Sequence, residues 1–514
     1  MTPSTISYDA FKELMAERSM AYLRAALFVS KHRHDGHILT RPLVGELLSH
    51  SSQIEELLDS YGARNNCQWA NFRFFTASIK LFSNVSYELL HIQHSLPHYR
   101  LLPVQRDFAN SVDQTLSVTE HILRKATQYL VNEARRLKMP LSDIHISDDF
   151  YVEKLPPGRL PHDLATRRPG TVSKTVSLLA TAFLNLAAES KHILPKTQIH
   201  PSSALCGMSG PISEEHFRSL ELRFHNLQSL YDTYVSITET EVLDKDLPVL
   251  RGHISVVLHL LRMSRDFAHY YERHAGPTAQ QIAGKRKRVI DPDKLLDLVI
   301  NFSVYFVTQY LTCAELLCQN MLRRYTEIDR IEVNVPPYRG FHVRPSTLIS
   351  KLVLHYGSEV KMLLDSEEYD AASPLELFRA NEKINAFKRR SLAKAILEMD
   401  MIPANNQVDD ITKFIREAIL KLAEHNKLII YDHPLQTNGK PSHLSGASLL
   451  EQVTDQIARL QVTGKIDMAT DIAVTFVGDK RVLEDIKLLA QNGYGEDKFG
   501  NNIPLPEGLT YLRK

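Results

Sequence analysis

Apolar side chains in the first 327 residues recur three and four positions apart, which is the spacing of amphipathic helices. The first such stripe consists of Phe11, Leu14, Met15, Tyr22, Leu23, Ala26 and Leu27. Longer helices are predicted over about 67–96, 103–138, 247–274 and 292–328. These lengths favour a large antiparallel bundle, or two stacked bundles with a break in the Pro/Ser/Gly-rich stretch 194–212.

The pattern changes after residue 330. Residues 331–335 alternate apolar and polar side chains, which predicts a half-buried strand. A helical stripe follows, made of Leu348, Ile349, Leu352, Val353 and Tyr356. Pro345 suits the first turn of that helix, where its missing N–H costs nothing. The stretch Gly340–Ser346 therefore lies between a strand and the start of a helix.

This turn carries an imidazole, His342, and a guanidinium, Arg344. We expect the unpaired amides at the helix start, those of Ser346, Thr347 and Leu348, to face the imidazole and bind an anion. Arg344 can add charge-assisted hydrogen bonds to a phosphate, and an imidazole can attack a phosphoryl donor. The alternative is that His342 is a helix cap or a surface residue, which is the commoner role of a histidine near a helix start.

The order Gly340-Phe341-His342-Val343-Arg344-Pro345-Ser346 resembles HPr, the histidine-containing phosphocarrier protein of the bacterial sugar phosphotransferase system. The resemblance implies that His342 is phosphorylated and that Arg344 is its phosphate partner. Ser373 stands where some members of the family carry a regulatory phosphoserine. The partners implied are donor and acceptor proteins of the phosphotransferase type, with no cofactor.

The resemblance implies an open-faced sandwich of a four-stranded sheet and three helices. Two strands follow at about 359–364 and 368–371, and Ser373 opens the second helix. The closing strand and third helix are found far downstream, at 471–479 and 482–490. The second helix continues through Lys394 instead of ending at a glycine, and Val343 is bulkier than the family's usual residue there.

We therefore predict a mostly α protein with three parts. Residues 1–328 form the helical bundle region, and residues 329–399 with 469–514 form the HPr-like α+β domain. Residues 400–468 are an insertion with two helices and one strand, at about 409–422, 447–462 and 427–431, which we interpret as a lid or docking module.

Composition narrows the function classes. The formal net charge of +1 argues against a strongly basic nucleic-acid-binding protein. The N-terminal residues are polar, so no signal peptide is predicted, and no run of about 18 uninterrupted apolar residues occurs, so no membrane span is predicted. The four cysteines have neither a metal-binding nor a disulfide spacing, which indicates the cytoplasm. Histidines at 32–37 and 91–98 are interpreted as solvated or helix-end residues, so no metal site is predicted.

The first hypothesis is a bacterial, cytoplasmic phosphocarrier or phosphorylation-controlled regulator, a phosphoryl-group carrier rather than a turnover enzyme. His342 would accept the group from a phosphoenolpyruvate-fed donor protein, and the helical region would provide output or homo-oligomerisation. The alternative is a non-catalytic scaffold that keeps the fold without phosphotransfer. A third possibility is an enzyme within the helical region, but its residues form no known catalytic motif.

Overall fold

The computed structural model divides the chain into two units, residues 1–318 and 319–514. It describes residues 5–31, 38–141, 148–156, 160, 171–194, 212–236, 244–275, 287–403, 408, 410–431, 448–469 and 472–513. The protein is mostly helical, as predicted, with a small antiparallel sheet of four strands.

The first unit is made of helices. They are α1 Tyr8–Arg18, α2 Met20–Lys31, α3 Arg41–Ser60, α4 Ala70–Ser95, α5 Phe108–Arg136, α6 Val172–Ile193, α7 Glu214–Tyr231, α8 Leu247–Tyr270, α9 Pro292–Asp297 and α10 Tyr305–Arg324. A π-helical stretch, Leu298–Val304, joins α9 to α10. Thr40 caps the start of α3, because its hydroxyl accepts a hydrogen bond from the Leu43 N–H at 3.4 Å.

One described helix is long and apolar enough to cross a membrane by length and composition, namely Pro292–Arg324, which comprises α9, the π stretch and α10. Two-thirds of its most apolar window (67%) is buried inside the structure, and a core helix passes the same test. The observation is weak support for a membrane span.

The helical unit also buries an imidazole. His253, on α8, has no solvent exposure, and its Nε2 accepts a hydrogen bond from the Leu102 N–H at 3.1 Å. Burial penalises the charged ring and lowers the pKa of His253 to about 4. The ring is therefore neutral in the folded state, while the unfolded chain takes up a proton below about pH 6.5.

This difference predicts a loss of stability in mild acid. A histidine whose pKa is lowered by folding stabilises the protein above its unfolded pKa, and this contribution fades as the pH falls toward 4. Between pH 7 and pH 5 we expect His253 to cost about 2 kcal/mol in the free energy of unfolding. The protein's single tryptophan, buried Trp69, reports urea unfolding of this unit by fluorescence. His253→Gln should lose about 2 kcal/mol less than the wild type over the same pH interval, and equal losses would contradict the assignment.

The second unit contains the four-stranded sheet. Its elements are β1 Ile328–Asn334, α11 Val343–Tyr356, β2 Val360–Leu364, β3 Glu367–Asp370, α12 Pro374–Glu398, α13 Ile411–Glu424, β4 Leu428–Ile430, α14 Leu449–Val462, β5 Ile466–Met468, β6 Ala473–Asp479 and α15 Lys480–Gln491. The sheet has the order β1-β6-β2-β3, with every neighbouring pair antiparallel. Strand β6, which is last in the chain, therefore lies between the first two.

The register of the sheet brings apolar side chains of its three neighbouring strands together. Phe476 of β6 pairs with Ile331 of β1 on one side and with Met362 of β2 on the other. Phe476 and Met362 are fully buried, as is Val474 within 1%. The predicted continuation of the second helix is also confirmed, since α12 extends to Glu398 without a break.

The insertion has a small core of its own. The predicted helices are confirmed as α13 and α14, and the predicted strand as β4. Strand β5 was not predicted, and it pairs antiparallel with β4. Apolar residues of these elements pack on the end of α12, in a cluster made of Leu392, Ile396, Ile415, Ala418, Ile419, Leu422, Leu428, Val453, Ile457, Leu460, Ile466 and Met468.

Strand β5 carries a fully buried carboxylate, Asp467, which joins the insertion to the rest of the unit. The Lys388 ammonium of α12 lies 3.3 and 3.4 Å from its two oxygens, and the Arg339 N–H donates to Oδ2 at 2.9 Å. Gln461 and the Met468 N–H donate to Oδ1. Because each oxygen has several donors, the cost of burying the charge is offset.

Removing the ammonium should destabilise this region strongly. Lys388→Met would leave the Asp467 carboxylate buried without its counter-ion, which costs about 3–5 kcal/mol. Hydrogen-exchange mass spectrometry across a urea series would measure the free energy of opening of β5. Lys394→Met is the matched control, because Lys394 is exposed on the same helix, and it should stay within about 0.5 kcal/mol of wild type. Equal effects of the two substitutions would rule out the buried pair as the cause.

Candidate functional site

A tight turn after β1 positions the candidate histidine. Arg339 and Gly340 both have a left-handed backbone, with φ of 54° and 64°. A Cβ on Gly340 would lie 2.1 Å from Asn381 Oδ1, so only glycine fits there. The Asn381 amide accepts from the Phe341 N–H at 2.9 Å and donates to the Arg339 carbonyl at 3.1 Å. The turn is therefore held by α12 on one side and by Asp467 on the other.

His342 is the N-cap residue of α11, and its side chain makes no capping hydrogen bond. Its Nδ1 lies 3.2 Å from the Gly340 carbonyl oxygen, and its Nε2 lies 3.3 Å from Glu496 Oε2. The edge of the Tyr338 ring packs on the imidazole with centroids 5.4 Å apart. Only 21% of the His342 side chain is exposed. Each ring nitrogen therefore faces a hydrogen-bond acceptor. A neutral imidazole has only one N–H, so it can donate to only one of these two acceptors.

Arg344 lies one half-turn along the same helix and binds the same carboxylate. Its Nη1 is 3.1 Å from Glu496 Oε2 and also donates to the Gly500 carbonyl at 3.1 Å. The imidazole of His342 and the guanidinium of Arg344 thus converge on a single anionic oxygen. A Cβ on Gly500 would come within 2.6 Å of the Tyr338 ring, so the segment approaches this closely because residue 500 is glycine.

Glu496 was not predicted as a site residue. It belongs to a loop after α15, and its side chain has no solvent exposure. Its Oε1 is buried and has no hydrogen-bond partner among the residues that the structure describes. The loop is anchored by buried Tyr494, whose hydroxyl donates to the Asn334 carbonyl at 2.8 Å, and by the Ile503 N–H, which donates to the Gly495 carbonyl. The structure therefore places a buried carboxylate against both predicted catalytic groups.

The helix begins two residues earlier than predicted. Val343 and Arg344 are already helical, and Pro345 occupies the third position, which also needs no amide hydrogen. The Ser346 N–H donates to the His342 carbonyl at 3.2 Å. The prediction that Ser346 and the residues after it present unpaired amides is therefore wrong. The amides at the open end of this helix are those of Val343 and Arg344.

The hydroxyls of the two other predicted phosphate ligands are also engaged. Ser346 is fully buried, and its hydroxyl donates to the Phe341 carbonyl at 2.8 Å. The Thr347 hydroxyl donates to the Val343 carbonyl at 2.6 Å. Both side chains bond to the backbone of the turn and of the first helical residues, so in this structure they stabilise the helix start.

Ser373, the predicted regulatory phosphorylation site, is the N-cap of α12. Its side chain accepts a hydrogen bond from the Glu376 N–H at 3.4 Å, and Pro374 follows it in the first turn. Capping explains why a serine stands at this position. Its modification stays a prediction.

A cleft of about 290 Å³ opens beside the histidine. It is lined by the turn and first helical residue, by one face of α12 and by the end of α14. His342 is one of its lining residues, so the imidazole lies between this cleft and the buried carboxylate of Glu496.

The histidine-rich stretches of the sequence were the other candidates for a site. Within the described ranges, no group of three or more His, Cys, Asp or Glu side chains is arranged to hold a metal ion. The histidines at 32–37 lie outside the described residues. The ring of His91 packs against that of His259 in a tilted arrangement, with centroids 4.4 Å apart, which gives His91 a packing role within the helical unit.

Comparisons of the chain with protein-family models, with curated proteins and with solved structures found no match.

Proposed function

We propose that this chain is an HPr-like phosphocarrier, or a regulatory protein controlled by phosphorylation, which accepts a phosphoryl group on His342. The donor is a phosphoenolpyruvate-fed protein, and the protein carries the group rather than turning over a substrate. The proposal places the chain in the bacterial cytoplasm, with partner proteins of the phosphotransferase type.

The observation that supports this proposal is the convergence of two side chains on one anionic oxygen. His342 Nε2 and Arg344 Nη1 lie 3.3 and 3.1 Å from Glu496 Oε2. If a phosphoryl group were bonded to the ring, one of its oxygens could accept a hydrogen bond from the same guanidinium. The positive end of α11 would stabilise the negative charge of the phosphoryl group by about 0.3–1 kcal/mol. Phosphoryl transfer depends mainly on such pre-placed charges.

The order of elements gives further support. Strand β1, helix α11, strands β2 and β3, and helix α12 follow one another as the resemblance implies, and β6 with α15 come after the insertion. The two parts of this domain meet in one sheet, because β6 pairs with both β1 and β2. An insertion of this length is thermodynamically tolerable, since loop-closure entropy grows only with the logarithm of length.

In the proposed reaction, the lone pair of one ring nitrogen attacks the phosphorus of the donor's phosphoryl group. The N–P bond forms as the bond from phosphorus to the donor breaks, and the donor atom leaves with the electron pair. The nitrogen must first turn its lone pair away from the acceptor that it faces, which is the Gly340 carbonyl or the Glu496 carboxylate.

Glu496 favours the second candidate function, a scaffold that keeps the fold without phosphotransfer. Its carboxylate takes the place of a phosphate oxygen at Arg344, and a phosphoryl group there would meet a buried like charge. For transfer to occur, Glu496 must move away from Arg344. The two candidates therefore differ in whether the loop that carries Glu496 can be displaced.

We predict that the full chain, incubated with the general donor enzyme of the phosphotransferase system and labelled phosphoenolpyruvate, gains an acid-labile phosphoryl group on His342. His342→Ala should abolish the label. His355→Ala is the matched control, because His355 lies on the same helix against Tyr511 and should leave the label unchanged. A protein that stays unlabelled, or one that keeps its label in His342→Ala, would overturn the phosphocarrier proposal in favour of the scaffold.

Glu496→Gln should speed this labelling. The substitution removes a like charge next to the incoming phosphoryl group, a contact worth at least about 1.4 kcal/mol, so we expect the rate to rise about tenfold or more. The time course of label incorporation measures the effect.

Glu507→Gln is the control for this prediction, because Glu507 is an exposed glutamate in the same C-terminal segment. It should label at the wild-type rate. If Glu496→Gln also labels at the wild-type rate, Glu496 does not compete with the phosphoryl group.

A further inference from the structure

The cleft beside His342 has three walls, and the insertion supplies one of them. The first wall is made by the turn and the first residue of α11, the second by α12 and the third by α14. Their lining residues are, in that order, Arg339, Phe341, His342 and Val343; Phe378, Asn381, Glu382, Asn385 and Arg389; and Gln461 and Val462. Without the insertion, the third wall would be missing. The Arg339 guanidinium, which donates to the Val462 carbonyl at 3.5 Å, lies across the junction of the first and third walls.

Two guanidinium groups in this cleft have no carboxylate partner among the residues that the structure describes. Arg389 is half-buried, and neither it nor Arg339 makes an ion pair there. The cleft also contains one carboxylate, that of exposed Glu382. Val343, the first residue of α11, lines the same cleft, so the positive end of that helix adds to its potential.

Amide side chains form part of the polar lining. Asn385 Oδ1 accepts from Gln461 Nε2 at 3.0 Å, a contact that joins the second and third walls. Gln461 Oε1 is buried, and within the described part of the chain it has no hydrogen-bond partner. Phe378 and Val462 provide apolar surface. A cleft of about 290 Å³ is at the lower end of the size of small-molecule sites.

We propose that this cleft is a binding site for a small phosphate monoester, whose phosphate is held by the guanidinium groups of Arg389 and Arg339. A phosphate monoester carries a charge of about −1.5 to −2 at neutral pH. Two guanidinium groups and a helix start therefore suit a phosphate monoester better than a ligand with a single carboxylate. The amides of Asn385 and Gln461 face the remainder of the ligand.

The site does not depend on the proposed phosphotransfer. Binding is non-covalent and needs no reaction at His342. If labelling of His342 fails while the cleft binds its ligand, only the proposed function is overturned. If labelling succeeds while no phosphate monoester binds, only the cleft proposal is overturned.

Isothermal titration calorimetry on the full chain at low salt tests the site. The probes are glucose 6-phosphate and phosphoenolpyruvate, with glucose and succinate as comparisons. We expect the two phosphate monoesters to bind with a Kd of about 1 mM or tighter, and glucose and succinate to bind at least about tenfold more weakly. Failure of both phosphate monoesters to bind, or equal binding of succinate, would overturn the proposal.

Two substitutions on one helix provide a matched pair. Arg389→Gln should weaken binding of glucose 6-phosphate about tenfold, since it removes a charge-assisted hydrogen bond. Arg390→Gln, which changes an exposed neighbour outside the cleft, should leave the Kd within about twofold. Equal weakening by the two substitutions would mean that general surface charge, and not the cleft, attracts the ligand.

A third substitution has the opposite expected sign. Glu382→Gln removes the carboxylate of the cleft and should tighten binding about two- to fivefold, because it removes repulsion of the anion. Loss of folding could not produce such a gain. An unchanged or weaker affinity in Glu382→Gln would overturn the placement of the phosphate in this cleft.

Discussion

The buried carboxylate of Asp467 is the contact on which the candidate site depends. It comes from the insertion, it binds the Lys388 ammonium of α12, and it accepts the Arg339 N–H of the turn before His342. Arg339 has a left-handed backbone that a non-glycine residue adopts only at a cost of about 1–3 kcal/mol. The hydrogen bond to Asp467 offsets that cost, so the insertion helps to fix the direction of the imidazole as well as one wall of the cleft.

The imidazole has a different environment on each side. Toward the C-terminal loop, Nε2 faces Glu496, which also holds Arg344. On the other side it borders a cleft with two guanidinium groups that lack carboxylate partners among the described residues. A like charge blocks the first side to an anion, and opposite charges attract an anion to the second. Within this structure, the electrostatics therefore favour approach of an anion from the cleft.

Local patterns were enough to predict most of the second unit's elements. The alternation in 331–335, the helical stripe from Leu348 to Tyr356 and the distant strand at 471–479 each occur where expected, because each depends on burial of one face. Strand β5 was missed because it has three residues and a buried aspartate at its centre, which breaks the apolar pattern. The partner that makes Asp467 acceptable in the core is 79 residues away in the sequence.

The candidate site was predictable only where it is local. His342 and Arg344 share one turn and one motif, so their proximity follows from the sequence. Glu496 lies 152 residues from Arg344, in a Gly-rich segment that gave no sign of burial. The sequence places the start of α11 two residues too late, because proline is tolerated at any of the first positions of a helix. As a result, the free amides at the helix start are those of Val343 and Arg344 and not those of Ser346 and Thr347. An anion at His342 would therefore meet amides nearer to the ring than the sequence alone suggested. Whether a phosphoryl oxygen or the Glu496 carboxylate occupies the position beside Arg344 depends on whether Glu496 can be displaced.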